Sequence, residues 1–207
     1  MAERTKEANV TITVISHITL DGVVQAPGRP DEDLRDDFAQ GGWSVPYGDE
    51  AMMRAWGEGM AKATQGGGLL LGRRTYLDFA DVWPKRVGNP FTEVLTETPK
   101  YVASTTLVEP LPWENSILLN DSMHQVPDHK LEKNLVILGS DDLIQSLGHA
   151  GLIDECLLTI HPLVLGEGRR LFRSGFPLSQ LTLTATKPTT TGVIAATYRF
   201  TSTGCLA

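Results

Sequence analysis

The stretch Leu69-Leu70-Leu71-Gly72-Arg73-Arg74-Thr75-Tyr76 carries the reading of the fold. Three leucines lie between the glycine run Gly66-Gly67-Gly68 and Gly72, a run too short for a helix and apolar on both faces, which predicts a buried strand. A short helix is predicted to follow from Thr75 to Val82. A strand that passes through a glycine into a helix start can hold a phosphate. Gly72 lets the backbone approach a ligand, the helix N-terminus offers unpaired N–H groups, and Arg73 or Arg74 supplies a forked cation. Read alone, the same residues are a loop glycine and a helix cap.

The pattern repeats along the chain. Tyr101-Val102-Ala103 runs into Ser104-Thr105, and Leu135-Val136-Ile137-Leu138 runs into Gly139-Ser140-Asp141 ahead of a helix predicted to Ala150. A further apolar run covers Ile117 to Leu119. This is the rhythm of βα units on a largely parallel sheet, and three such strand ends would share its carboxyl edge, where open α/β sheets bind ligands. Upstream, Val10, Ile12 and Val14 alternate with threonines and Ile15 joins them, predicting a first strand that ends near Asp21-Gly22. Residues Pro27 to Gly42 predict a long loop with a short helix around Leu34 and Phe38. A helix capped by Gly48 or Asp49 should run to about Ala63, with Met53, Trp56, Met60 and Ala63 as its apolar face. The last third changes character: Glu155 to Leu165, Leu181 to Thr186 and Val193 to Phe200 are strand-like, an antiparallel hairpin closing the sheet. The Rossmann GxGxxG pattern is absent.

The 207 residues include 41% hydrophobic and 21% charged side chains, ordinary for a globular chain. A chain of this size buries roughly 70% of the surface its unfolded form exposes. The expected organisation is a flexible segment over residues 1–9, one domain over 10–201 and a tail over 202–207. A net charge of −7 argues against a general affinity for nucleic acid or acidic membranes. No run reaches the roughly 20 apolar residues of a membrane helix and the first nine residues lack a signal-peptide core, so a cytoplasmic location is expected. The two cysteines, Cys156 and Cys205, form neither a disulfide framework nor a metal spacing and read as free thiols.

Six blocks then carry a family likeness: Ser16-His17-Ile18-Thr19-Leu20-Asp21-Gly22, Leu71-Gly72-Arg73-Arg74-Thr75-Tyr76, Lys100-Tyr101-Val102-Ala103-Ser104, Leu138-Gly139, Ile153-Asp154-Glu155 and Pro162-Leu163-Val164-Leu165-Gly166-Glu167-Gly168. Over about Val10 to Phe200 the chain resembles the dihydrofolate reductase-like superfamily, in particular the branch with the C-terminal reductase domain of bacterial riboflavin biosynthesis proteins. The resemblance implies a three-layer α/β fold and NADPH-dependent hydride transfer to a small heterocycle, often in a homodimer. It also implies that Gly72, Arg73, Arg74 and Thr75 contact the cofactor phosphates. Ser104 and Thr105 would lie near the adenosine 2′-phosphate, and Gly139, Ser140 and Asp141 would meet the pyrophosphate. Ser16 to Gly22 would line the nicotinamide and substrate. The family commonly carries Gly-Gly where this chain has Gly139-Ser140, and Pro127 interrupts a segment that is often helical in the family.

On the substrate side, reduction of an imine or carbonyl needs a proton source, often a carboxyl group with a raised pKa. Asp49 and Glu50 are candidates by placement, with an N-cap and a solvated first-turn carboxylate as the competing reading. Asp21 either faces the substrate or makes turn chemistry with Gly22. Trp43 either stacks on a flat heterocycle or covers the core. His124 and His129, with Asp121 and Asp128, match no firm metal pattern, so no metal is expected. His161 reads as a packed histidine, and the acidic run from Asp31 to Asp37 as a solvated face. A non-catalytic nucleotide or heterocycle binder of the same fold, and a true dihydrofolate reductase, are the alternatives.

Overall fold

The structure, a computed structural model, describes residues 11–122, 124–126 and 133–201. Residues 1–10 and 202–207, with Val10 and Cys205, lie outside the described residues, as do Pro127, Asp128 and His129. Eight strands form one sheet: β1 (Ile12–Thr19), β2 (Gly68–Gly72), β3 (Lys100–Ala103), β4 (Ser116–Leu119), β5 (Leu135–Leu138), β6 (Glu155–His161), β7 (Gln180–Pro188) and β8 (Ile194–Thr201). Their order is β4-β3-β2-β5-β1-β6-β8-β7. The first six run parallel, and β8 and β7 close the sheet antiparallel. This is the α/β architecture of a mostly parallel sheet with a C-terminal hairpin.

The central strands are apolar on both faces because both faces are covered. On one face Ile12, Val14 and Ile137 pack with Leu143, Ile144 and Leu147 of α4 (Asp141–His149). On the other, Ile15, Leu69, Leu71 and Val136 pack with Ala55, Met60 and Ala63 of α1 (Glu50–Thr64), Tyr76 of α2 (Arg73–Val82) and Leu95 of α3 (Pro90–Glu97). Gly59 allows α1 to lie close to the sheet, since a Cβ there would sit 2.8 Å from both Ile15 and Leu157.

Several expectations shift. Met53 is exposed, and the buried stripe of α1 runs through Met52, Ala55, Met60 and Ala63, with Trp56 beside it. α2 begins two residues earlier than predicted, directly after Gly72. α3 escaped the periodicity reading, although Asn89-Pro90 is a start signal and Asn89 caps Phe91 N. The Pro27 to Gly42 loop holds only a three-residue 3-10 turn, Arg35–Asp37. β6 stops at His161, where Pro162 has no N–H to continue a ladder. Among the described residues no helix is long and apolar enough to cross a membrane. Cys156 is a buried free thiol, pushed by burial up to about 12.

Candidate functional site

The register of the sheet decides where the loops meet. Leu70 pairs with Ile137 and Gly72 with Ala103, so the chain leaves β5, β2 and β3 along one edge at nearly one level, beside β1, whose Ile15 pairs with Leu138 and which continues to Thr19. A cavity of about 1130 Å³ opens there. It slightly exceeds the roughly 300–1,000 Å³ of common small-molecule sites. Gly72, Arg73, Arg74 and Thr75 line it from the β2 end, Ser104 and Thr105 from the β3 end, and Gly139, Ser140 and Asp141 from the β5 end. Ser16 and His17 line it from β1.

Arg73 and Arg74 are exposed at the start of α2 and have no carboxylate partner among the described residues. Three other arginines of the cavity are held by carboxylates: Arg29 binds Asp78, Arg35 binds Asp33, and Arg169 reaches Asp36, Asp141 and Asp142, while Arg86 lies over the Trp83 ring at 4.5 Å. In a chain with net charge −7, two unpaired cations at a helix N-terminus are a standing attraction for an anion.

The two glycine turns are locked together. Ser140 Oγ accepts from Gly72 N at 2.8 Å and donates to Thr75 Oγ1 at 2.9 Å. Gly139 and Ser140 both have left-handed backbones, φ 61° and 64°, which glycine tolerates and serine resists. A Cβ on Gly139 would meet Thr75 Oγ1 at 3.3 Å, and one on Gly72 would meet Ser140 Oγ at 3.2 Å. The Ser140 hydroxyl thus already holds Gly72 N. Ser104 Oγ is likewise engaged, accepting from Thr106 N and Leu107 N at 3.2 and 3.0 Å. Asp141 lines the cavity, with its carboxylate among Arg35, Arg169 and Arg173.

The long loop forms the roof. Gly42 N and Ser44 N bond back to Ala26 O and Pro27 O, and the Arg29 ion pair with Asp78 ties the loop to α2. The acidic run is therefore not a simple solvated face. Glu32 and Asp33 line the cavity half-buried, while Asp31, Asp36 and Asp37 are exposed. Burial raises the Glu32 carboxyl above its ordinary value, although Gly28 N and Arg29 N donate to it at 2.6 and 3.0 Å.

Five residues expected at the substrate end are placed outside the cavity lining. Asp49 is the N-cap of α1: Oδ1 accepts from Met52 N, and Oδ2 accepts from Thr190 N and Oγ1. These bonds hold its carboxyl below the usual range. Glu50 is exposed and pairs with Arg54 one turn on. Asp21 turns away because Thr19 Oγ1, Leu165 N and Gly166 N donate to it. Two blocks of the family likeness thus bind each other rather than a ligand. Gly22 makes the turn at φ 88° beside Arg170. Trp43 donates to Gln25 O at 2.7 Å and packs with Val23, Ala26 and Phe38, so it covers a core. Among the described residues no group of three or more His, Cys, Asp or Glu could hold a metal.

Reading the sequence missed the floor of the cavity. Trp56 of α1 lines it, and His17 stacks on that ring with centroids 4.5 Å apart. His17 Nδ1 lies 2.9 Å from Nε2 of the fully buried His161 and 3.0 Å from Thr159 Oγ1. Burial pushes His17 down to about 3 and His161 to about 4, so both rings are neutral at pH 7. The family likeness covered His17 as part of the Ser16 to Gly22 block, but no signal in the sequence paired it with His161 or Trp56.

Residues 10–195 match the family model of the RibD C-terminal domain. The chain belongs to that family. It is 32% identical over 142 residues to the uncharacterized protein YyaP of Bacillus subtilis (strain 168), covering 64% of this chain and 73% of the relative. Among solved structures it resembles a putative riboflavin biosynthesis protein from Shewanella sp. PV-4, with TM-score 0.64 and 21% identity over 92% of this chain and 99% of the other. A pyrimidine reductase-like protein from Corynebacterium diphtheriae NCTC gives 0.59 and 13%, covering 93% and 92%. Dihydrofolate reductase from Enterococcus faecalis, a structure complexed with NADP(H) and RAB-propyl, gives 0.54 and 14%, covering 93% and 95%. The fold of this RibD C-terminal domain chain is that of dihydrofolate reductase-like proteins.

Proposed function

We propose that the chain is an NADPH-dependent oxidoreductase that reduces a small heterocycle, pterin-like or ribosylaminopyrimidine-like. The observation that carries this reading is the unpaired Arg73 and Arg74 at the N-terminus of α2, inside the cavity at the strand edge. They fit a cofactor bearing a 2′-phosphate and a pyrophosphate. The glycine turns fit too, since a Cβ on Gly72 or Gly139 would crowd the Ser140 and Thr75 side chains that join the two turns.

NADPH supplies the hydride when bound. Arg73 and Arg74 neutralise phosphate charge, with Thr75, Ser104 and Thr105 as hydroxyl neighbours. The turns of Gly72, Gly139, Ser140 and Asp141 would hold the pyrophosphate. Ser16, within β1, would border the substrate under the roof from Ala26 to Arg35. With Asp21, Asp49 and Glu50 outside the cavity lining, the proton source falls to Glu32, the cavity carboxyl that burial biases towards its protonated form. A homodimer through the C-terminal strands and a cytoplasmic location belong to the same reading. The solvent-facing β7, with exposed Leu183, is consistent with the dimer.

The test is consumption of NADPH by the purified chain with dihydrofolate, a dihydropterin and a ribosylaminopyrimidine. Turnover with one of them, reduced by Glu32→Gln, is expected. A second reading, a binding protein without turnover, is favoured by the loss of three expected acids from the cavity lining. It predicts cofactor binding with no oxidation across the panel.

A further inference from the structure

The substrate end of the cavity contains a polar group that the proposed reaction has not used. His17 lines the cavity, and its Nδ1 is engaged by His161 and Thr159, while its Nε2 bonds no described residue. His161 Nδ1 is buried and has no hydrogen-bond partner. This orphan atom determines where the protons sit.

Two neutral imidazoles 2.9 Å apart must share one N–H between facing nitrogens. If that proton were on His17 Nδ1, His161 Nε2 would be the acceptor and His161 would carry its own proton on Nδ1. A buried N–H would then lack any acceptor, a cost of about 1–3 kcal/mol and a rarer event than an unmet lone pair. The reverse arrangement leaves only a lone pair on His161 Nδ1. His161 Nε2–H then donates to His17 Nδ1, and His17 holds its proton on Nε2. Thr159 does not decide between the two arrangements: its hydroxyl proton can go to Ser16 O at 3.3 Å, or share the single lone pair of His17 Nδ1 with His161 Nε2–H.

We propose that His17 points a neutral Nε2–H into the cavity as a hydrogen-bond donor to a carbonyl oxygen or imine nitrogen of a flat heterocyclic substrate, with His161 fixing that tautomer from behind. The proposal rests on the reductase reading for the identity of the substrate class, and not for the tautomer. His17 keeps its proton throughout. It polarises the acceptor as a neutral imidazole can, while the reducing equivalent and the transferred proton come from elsewhere. Trp56 holds the ring plane by stacking at an interplanar angle of 25°. The pair resists ionisation: burial, and then His161 from β6, lower the basicity of His17, and Tyr47 meets the His161 ring edge-on. No carboxylate lies within ion-pair distance of either ring among the described residues.

Nitrogen-15 NMR of the full chain tests this, with His17→Gln and His161→Gln assigning the ring signals. Both rings are expected as Nε2–H tautomers that do not titrate between pH 8 and pH 5. His17 with its proton on Nδ1, or as an imidazolium at pH 6, would overturn the proposal. The second arm adds lumazine, 5,6-diaminouracil and dihydrofolate at millimolar concentration and follows the His17 Nε2–H signal. It should shift with at least one probe, and affinity for that probe should fall about tenfold or more in His17→Phe and recover partly in His17→Gln. No shift with any probe overturns the ligand-facing role. NADPH binding is read separately by fluorescence. A chain that moves its His17 signal yet binds no NADPH keeps this proposal and loses the cofactor reading.

Discussion

The two ends of the cavity are built on opposite principles. At the β2, β3 and β5 end, short-range grammar places exposed cations and backbone N–H groups: strand, glycine or serine, helix start. At the β1 end, a neutral floor is assembled from Ser16, His17, Trp56 and His161, with His17 and His161 separated by 144 residues and brought together by parallel pairing of β1 with β6. The first end is suited to a phosphate and the second to an uncharged ring. Local motifs therefore gather the charged side of the cavity, whereas the pairing of His17 with His161 and Trp56 comes only from the folded sheet.

Several changes would break or sharpen this contrast. The largest effect is expected for Arg73→Ala with Arg74→Ala. Each charge-assisted contact is worth about 1.5–3 kcal/mol, so NADPH affinity should weaken about a hundredfold or more, measured by fluorescence titration. The melting temperature should hardly move, because both side chains are exposed and unpaired. If stability falls instead, the arginines are structural and the contrast fails.

The neutral end should declare itself through pH. An unfolded imidazole takes up a proton below pH 6.5, whereas His161 in the fold resists until about 4 and His17 until about 3. Stability contributed by the neutral pair is thus present above pH 6.5 and lost as pH falls through that window. The slope is about 1.4 kcal/mol per pH unit for each ring. Urea unfolding from pH 7 to pH 4 should show this slope, and the double change His17→Phe with His161→Leu should flatten it.

Ser140→Gly is a smaller test. It relieves a left-handed serine by about 1 kcal/mol but removes the hydroxyl that joins Gly72 N to Thr75 Oγ1. Stability should change little, and NADPH affinity should change less than tenfold, improving if Gly72 N is released to phosphate. Smallest is Glu50→Ala, an exposed i,i+4 pair whose loss should leave both turnover and stability within error.

The sheet was largely legible because its central strands are continuous apolar runs punctuated by glycine, a pattern that follows from burial on both faces. Leu69 to Leu71 and Leu135 to Leu138 are examples, and the final hairpin was legible from its length and β-branched content. The meeting of Gly72, Ser104 and Gly139 at one cavity was legible for a related reason: all three stand at strand ends, and strand ends of one parallel sheet meet. The acids were not. Asp21 and Asp49 stand where a pocket was expected, but bonds from Leu165, Gly166 and Thr190, more than 140 positions away, turn them into struts. Glu32 was hidden in a run of charges, where only the folded roof separates half-buried residues from exposed ones.

The central claim is a dinucleotide phosphate grip at the Gly72-Arg73-Arg74 turn. Parallel equilibrium titrations of the purified chain with NADPH and NADH test it most directly. NADPH should bind at least about tenfold more tightly, a difference of about 1.4 kcal/mol that Arg73→Ala with Arg74→Ala abolishes. Equal affinity for the two nucleotides, or no binding of NADPH at saturating concentration, would contradict it.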